Sequence, residues 1–391
     1  MLVVIAEGDG HERRVGSFTC WCPDLNIRRI FAAMNELIRQ WSGESTVIAY
    51  DQPTGTWMFI AVHNTVMGAA MGGCRMRVYE APEEGLSDAM RLAEAMTRKW
   101  AGIGYRHGGG KAVLAIPGEM DPPVRVGVLR RFGQLVESLR GFFSVCGGMG
   151  LTPEDLAVVG GETQWACGVK HGGERAVDPG PYTAYGLVAA IKAAARKVFG
   201  TENLAGRTVL VQGVGDAGEP LARRLRYEGA EILVCDLDDA LARRVASELE
   251  GEAVEPHLAY ARMCDVYAPC AVGGTLNNET VPQLQCKIIA GAADNQLSAA
   301  PNADLLHEKG ILYAPDYLAN AGSAMAIPLM DAGDLADDQV LKSVERIGET
   351  LERVFEEAAV LDESPVHPAE RLVASRLHTA AASSGKKTDQ D

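Results

Sequence analysis

Thr208-Val-Leu-Val-Gln-Gly-Val-Gly-Asp-Ala-Gly-Glu-Pro-Leu-Ala-Arg-Arg-Leu225, continued by Glu231-Ile-Leu-Val-Cys-Asp236, decides the fold. An apolar run, a turn holding Gly213, Gly215 and Gly218, a helical stretch and a second apolar run read as strand, turn, helix and strand. In a turn that receives a dinucleotide each glycine has its own duty. Gly213 makes the bend, Gly215 lets the backbone approach a pyrophosphate, and Gly218 lets the helix sit close on the strand. The free N–H groups at the helix start then face the phosphates. Asp236 ends the second strand, where a carboxylate accepts the hydroxyl protons of a ribose. That acid favours NAD, because a 2′-phosphate would meet its charge, while Arg243 and Arg244 keep NADP open.

Outward from this unit, 391 residues suffice for two domains with separate cores. The chain is 47% hydrophobic and 23% charged, a globular balance, and its 43 glycines imply many turns. A formal charge of −15 argues against nucleic acid or an anionic membrane as partner, since both call for a basic surface. No run approaches the roughly 20 apolar residues of a membrane span. The opening Met1-Leu-Val-Val-Ile-Ala is followed by acids, which reads as a strand and not a signal peptide. Nine scattered cysteines suit a reduced, cytoplasmic protein. Cys20 and Cys22 are the one close pair, with no histidine or second pair at zinc spacing, so no metal site is expected.

Taken in order, Thr46–Tyr50 and Trp57–Val62 read as strands around an Asp-Gln-Pro-Thr-Gly turn. A glycine-rich loop, Met67-Gly-Ala-Ala-Met-Gly-Gly-Cys-Arg75, precedes an amphipathic helix with Leu86, Ala89, Met90, Ala93, Met96 and Trp100 on one face. Gly108-Gly-Gly-Lys111 leads into the strand Ala112–Ile116, and a second helix carries Leu129, Phe132, Leu135, Val136 and Leu139. Pro179-Gly180-Pro181 is the domain boundary. The reading is therefore α/β, with largely parallel sheets: residues 1–178 form a substrate-binding and oligomerisation domain, and residues 179–330 a Rossmann domain, with a cleft between them. Residues 331–382 form C-terminal helices packing back between the domains, and residues 383–391 a solvated tail.

Two lysines stand out before any likeness is considered. Lys111 follows three glycines and enters a buried strand, where desolvation would favour a neutral amine able to act as a base. From spacing alone, a surface lysine at a strand start is the better description. Lys99, beside Met96 and Trp100, can pair with a substrate carboxylate or extend its amine into water.

Met71-Gly-Gly-Cys-Arg-Met76, Arg91-Leu-Ala-Glu-Ala-Met-Thr-Arg-Lys99 and Gly108-Gly-Gly-Lys111 resemble the glutamate/leucine/phenylalanine/valine dehydrogenase family, above all its leucine, phenylalanine and tryptophan dehydrogenases. Pro181-Tyr-Thr-Ala-Tyr-Gly186, Ile289–Leu297, Tyr313-Ala-Pro-Asp-Tyr317 and Asn320-Ala-Gly322 extend the likeness over roughly residues 50 to 380. The resemblance implies a soluble homo-oligomer of NAD-dependent oxidoreductases acting on an amino acid or its 2-oxo acid. It implies that Lys111 assists water attack on an imino intermediate and that Lys99 holds the substrate carboxylate beside Gly72 and Gly73. Thr183 would contact the nicotinamide amide, and Asn295 the cofactor or the region of the substrate nitrogen. The side-chain pocket would fall on Met71, Met96, Cys146, Ala324 and Ile327, all apolar, which implies an uncharged substrate side chain.

One position departs from the pattern. The family places a glutamate and then an aspartate after its second helix, and the aspartate shuttles protons at the substrate nitrogen. Here the run is Val145-Cys-Gly-Gly-Met-Gly150, and Gly148 takes the aspartate's place, with space expected beside it. Glu154 and Asp155 fit the start of the next helix, and His107 is a substitute worth locating. Three readings follow: an apolar amino-acid dehydrogenase with altered proton handling, an enzyme that reduces or forms an imine without hydrolysis, and a non-catalytic cofactor-binding homologue.

Overall fold

The computed structural model describes residues 2–9, 12–14, 25–169, 176–333 and 335–384. Cys20, Cys22 and the last seven residues of the expected tail lie outside them, while Ser383 and Ser384 still belong to the final helix. The chain divides into two compact units, residues 1–178 with 376–391, and residues 179–375.

In the first unit the strands are β1 (Leu2–Asp9), β2 (Glu12–Arg14), β3 (Ser45–Asp51), β4 (Thr56–Asn64), β5 (Ala70–Val78), β6 (Gly108–Ile116) and β7 (Phe143–Cys146). Its helices are α1 (Leu25–Gln40), α2 (Pro82–Ile103), α3 (Pro122–Ser138) and α4 (Pro153–Gly160). The sheet order is β2-β1-β3-β4-β6-β5-β7. It is mixed and not largely parallel: β6, β5 and β7 run parallel, whereas β2, β1, β3, β4 and β6 pair antiparallel in succession. Side chains alternate across the pleat, so each central strand feeds two cores. Met58, Ile60 and Val62 of β4 pack with Phe132 and Leu135 of α3, while Trp57, Phe59 and Ala61 face Leu86, Met90 and Ala93 of α2.

The α2 helix begins at Pro82, with Glu83 and Glu84 in its first turn, and stops at Gly104 in the left-handed region (φ 76°). Both ends suit the helix dipole and the missing hydrogen-bond partners there. The Arg376 guanidinium donates to the carbonyls of Ala101 and Gly102 and so satisfies the C-terminal end. Gly109 lets β6 lie tightly under this helix, since an added Cβ would overlap Thr97 Oγ1, while one at Gly110 would meet the Phe143 ring of β7 at 2.8 Å.

The second unit contains α5 (Gly180–Phe199), β8 (Thr208–Gln212), α6 (Gly218–Tyr227), β9 (Glu231–Cys235), α7 (Asp239–Glu248), β10 (Glu252–Ala253), β11 (Val266–Pro269), β12 (Ile288–Ile289), α8 (Pro301–Glu308), β13 (Leu312–Tyr313), α9 (Asp316–Ala319), α10 (Gly322–Ala332), α11 (Asp337–Leu361) and the first part of α12 (Val366–Ser384). Its sheet is parallel throughout, in the order β10-β9-β8-β11-β12-β13. That is the doubly wound order, with the direction of winding reversing between β8 and β11. The carboxyl end of β8 at this reversal carries the Gly213 turn.

Gly109→Ala is expected to lower the stability of the first unit by about 1–3 kcal/mol through overpacking. All five tryptophans precede residue 178, so their fluorescence in a urea titration reads this unit alone. An unchanged midpoint would refute the close approach of α2 and β6.

Candidate active site

In the first unit β5 and β6 are held so close at Gly72 that a Cβ there would overlap the Gly110 carbonyl oxygen and lie 3.4 Å from Met96 Cγ. Trp100 Nε1 donates to the Met71 carbonyl (2.9 Å), fixing the strand entering this point. From Gly73 an added Cβ would lie 3.3 Å from Lys111 Nζ and 2.6 Å from the Gly147 carbonyl oxygen. The bare face of Gly73, the Lys111 amine and the Gly147 carbonyl therefore converge. Cys146 is the β7 residue in register with Gly73 and is half-buried. Lys111 and Lys99 are 6% and 7% exposed, so two amines are largely withdrawn from bulk water within one unit. Of the residues expected here, Met71, Gly72, Gly73, Met96, Lys111 and Cys146 are brought to one region, and Lys99 follows Met96 on α2.

His107 packs its ring edge-on against Trp100, with centroids 4.9 Å apart, and burial lowers its pKa. The space expected at Gly148 is absent. The loop from Gly147 to Leu151 runs along the main chain of β5, with Met76 N donating to the Met149 carbonyl (2.9 Å) and Leu151 N to the Gly148 carbonyl (3.0 Å). A Cβ at Gly148 would meet the Cys74 carbonyl oxygen at 2.5 Å. Gly150, at φ 84°, would overlap the Met76 carbonyl if it carried a side chain. Arg125 holds the far end of the loop, donating to the Gly150 carbonyl (2.6 Å) and to both oxygens of Asp155 (2.9 and 2.6 Å). Asp155 and Thr152 exchange side-chain to backbone hydrogen bonds as a capping box on α4, the role its sequence position implies.

In the second unit the turn after β8 fits a dinucleotide. Gly213 adopts φ 90° and its N–H donates to the Cys235 carbonyl (2.7 Å). A Cβ at Gly218 would overlap the Gly213 carbonyl, whereas one at Gly215 meets nothing within 4 Å, leaving that face open to a phosphate. Asp236 accepts from the N–H groups of Val214 (2.8 Å) and Asp238 (3.0 Å), which fixes the carboxylate; its remaining lone pairs suffice for a ribose diol. Arg243 is paired with Asp239, and Arg244 with Glu219 and Glu248, so both arginines that kept NADP open are engaged in ion pairs. Thr183 Oγ1 donates to Ser323 Oγ (3.0 Å), a partner the sequence reading missed because only its place after Asn320-Ala-Gly322 could have marked it. Asn295 sits in the left-handed region (φ 52°), and its buried Nδ2 has no partner among the described residues. Such a strained, unsatisfied amide is a ready donor to a ligand. On α10, Ala324 is half-buried and Ile327 buried. Among the described residues no three histidines, cysteines or carboxylates gather as a metal site, and no helix is long and apolar enough to cross a membrane.

Residues 47–165 match the family described as Glu/Leu/Phe/Val dehydrogenase, dimerisation domain, and residues 235–358 match Glutamate/Leucine/Phenylalanine/Valine dehydrogenase. The chain is 38% identical to leucine dehydrogenase of Geobacillus stearothermophilus over 340 residues, covering 86% of this chain and 91% of that one. It is 36% identical to phenylalanine dehydrogenase of Lysinibacillus sphaericus, covering 81% and 84%. The crystal structure of L-tryptophan dehydrogenase from Nostoc punctiforme superposes with a TM-score of 0.69 at 33% identity, over 89% of this chain and 99% of that one.

Burial alone would raise the Asp155 pKa, but the hydrogen bonds and charge of Arg125, with those of Thr152, hold it below 3.8. The stabilisation is thus complete above pH 3.8 and is lost as pH falls through the lowered value. Asp155→Ala should cost about 1–3 kcal/mol at pH 7. Under the tryptophan-fluorescence titration the difference from the parent protein should vanish in acid below the folded pKa; a gap that persists there would disprove the clamp.

Proposed function

Because this chain belongs to the glutamate/leucine/phenylalanine/valine dehydrogenase family, and is an oxidoreductase acting on CH–NH2 donors, we propose that it transfers hydride between NAD and an apolar L-amino acid or its 2-oxo acid. The observation that carries the reading is the convergence of Lys111 Nζ on the bare face of Gly73. The amine, 6% exposed, lies against the main chain of Gly73 and Gly147, beside which a small carbonyl or imino group would be held. In this role the amine accepts a proton from attacking water and returns it. Lys99 serves the substrate carboxylate, with the backbone of Gly72 and Gly73 beside it. Met71, Met96 and Cys146 offer no cation to an acidic side chain, which supports an apolar substrate.

In the second unit Gly213, Gly215 and Gly218 hold the pyrophosphate, Asp236 takes the adenosine ribose, and Thr183 and Asn295 serve the nicotinamide amide. Bound there, NAD supplies the hydride acceptor. The engaged state of Arg243 and Arg244 supports NAD over NADP. A homo-oligomer is part of the proposal, supported by the dimerisation-domain match of residues 47–165. So is a cytoplasmic setting, since all seven described cysteines are free thiols.

Lys111→Ala should lower kcat/KM about 10²- to 10⁴-fold, the usual contribution of a positioned acid or base, while NADH titration by fluorescence stays unchanged. Undiminished turnover would remove Lys111 from the chemistry, and turnover of 2-oxoglutarate rivalling that of apolar 2-oxo acids would overturn the substrate class. For the cofactor, NAD should bind more tightly than NADP, and Asp236→Ser should narrow the difference by about tenfold, the effect of roughly 1.4 kcal/mol. Equal affinities in the unaltered protein would refute the role of Asp236.

A further inference from the structure

Asn295 holds a left-handed backbone (φ 52°) and keeps a buried amide Nδ2 without a partner among the described residues. Such a conformation persists where the surrounding structure over-determines it. Here the neighbours on both sides are pinned. After Asn295, the Gln296 N–H donates to the Asp316 carboxylate (2.9 Å), and Gln296 Nε2 donates to the Gly291 and Ala293 carbonyls (2.8 and 3.0 Å). Before it, Asn320 Nδ2 donates to the Ala292 carbonyl and to Asp294 Oδ1 (both 3.0 Å), with the Ala293 carbonyl at 3.4 Å. The carbonyls of the turn are held from a third direction: Gly274 N donates to that of Asn295 (2.8 Å) and Leu276 N to that of Gln296 (3.0 Å). Gln296, Asn320 and Asp316 are all buried, so these bonds form away from water, where each is electrostatically stronger.

Asp316 and Asn320 belong to one short segment that runs through α9 into the start of α10 and also meets α5. A Cβ at Gly322 would overlap the Tyr182 carbonyl oxygen, and Ser323 Oγ accepts from Thr183 Oγ1 (3.0 Å). Residues 316–323 thus hold both Thr183 and the turn that carries Asn295. We propose that Asn320 is a positioning residue for the nicotinamide end of the cofactor, acting through Asn295: its amide fixes the main chain of residues 292–294 so that the Asn295 amide stands ready to donate to the nicotinamide carboxamide. The role rests on the nicotinamide contact proposed for Asn295. What Asn320 supplies is a donor. Two main-chain carbonyls and a carboxylate face its Nδ2, and all three are acceptors. A carboxylate at this place would set acceptor against acceptor, and an alanine would withdraw the donor they share. Because the turn is set in advance, the Asn295 amide loses little freedom when it meets a ligand, and the benefit of Asn320 falls on affinity for the ring end alone.

The test compares, by calorimetry on the full-length protein, the binding of NADH with that of ADP-ribose, which keeps the adenosine and pyrophosphate and lacks the nicotinamide ring. Asn320→Ala and Asn320→Asp should each weaken NADH about tenfold, the effect of one lost hydrogen bond, and leave ADP-ribose within about twofold of the parent protein. Asn320→Asp keeps the size of the side chain, so its result does not depend on opening a cavity. Asn295→Ala should show the same split between the two ligands. The double variant Asn295→Ala/Asn320→Ala should bind NADH no more weakly than Asn295→Ala alone, because the second change acts only through the first residue. Equal losses on both ligands would assign Asn320 to the packing of the second unit and overturn the inference. So would unchanged NADH affinity in the Asn320 variants, or a double variant in which the two losses add. If Asn295→Ala itself binds both ligands as the parent does, the nicotinamide contact of Asn295 fails and the inference with it; if only the Asn320 variants are silent, that contact stands.

Discussion

Backbone meeting backbone, without side chains between, is the constraint on which the first unit rests. At Gly72, Gly109, Gly110, Gly148 and Gly150 the space a Cβ would fill is held by a carbonyl, a helix turn or an aromatic ring. Interiors are packed densely enough that such positions tolerate little added volume. The result is close approach throughout: α2 lies on β6, β6 pairs edge to edge with β5, and the loop after β7 runs along β5. Lys111 and Gly73 converge because of that close approach, so the chemistry depends on the absence of atoms as much as on those present.

The second unit solves a different problem with the same residue. Gly213 bends, Gly218 admits a carbonyl, and Gly215 is left bare on the outside. Asp236 is fixed by two N–H donors of the turn it serves, so its orientation costs little conformational freedom when a ligand arrives. Around it the arginines and glutamates of α6 and α7 pair with one another on the surface. Exposed pairs of that kind are screened by water, so their weight lies in occupying Arg244 more than in stability.

Much of this was legible in the sequence, and the remainder failed for physical reasons. The β8 to β9 unit could be read because its signal is local: glycine spacing, an apolar run on each side and a terminal acid. The capping role of Asp155 was legible for the same reason, three residues after Thr152. The mixed order of the first sheet was not, since β4 pairs with β6 across the whole of α2, and no local pattern encodes that partner. Gly148 shows the limit most sharply. A sequence reports that a side chain is missing and is silent on what fills the place, and here β5 fills it. The Arg244 pairing with Glu219 was hidden likewise, because Glu219 lies on another helix, whereas Arg243 pairs with Asp239 within its own helix.

The Arg376 guanidinium bound to the carbonyls of Ala101 and Gly102 makes the far end of the polypeptide part of α2. Residues 376 onward count with the first unit although residues 179–375 form the second, so the α2 terminus is finished by a segment made more than 270 residues later. During synthesis the helix bearing Met96 and Lys99 emerges from the ribosome with its last carbonyls unmet. Of the two units, the one translated earlier is thus the one completed later.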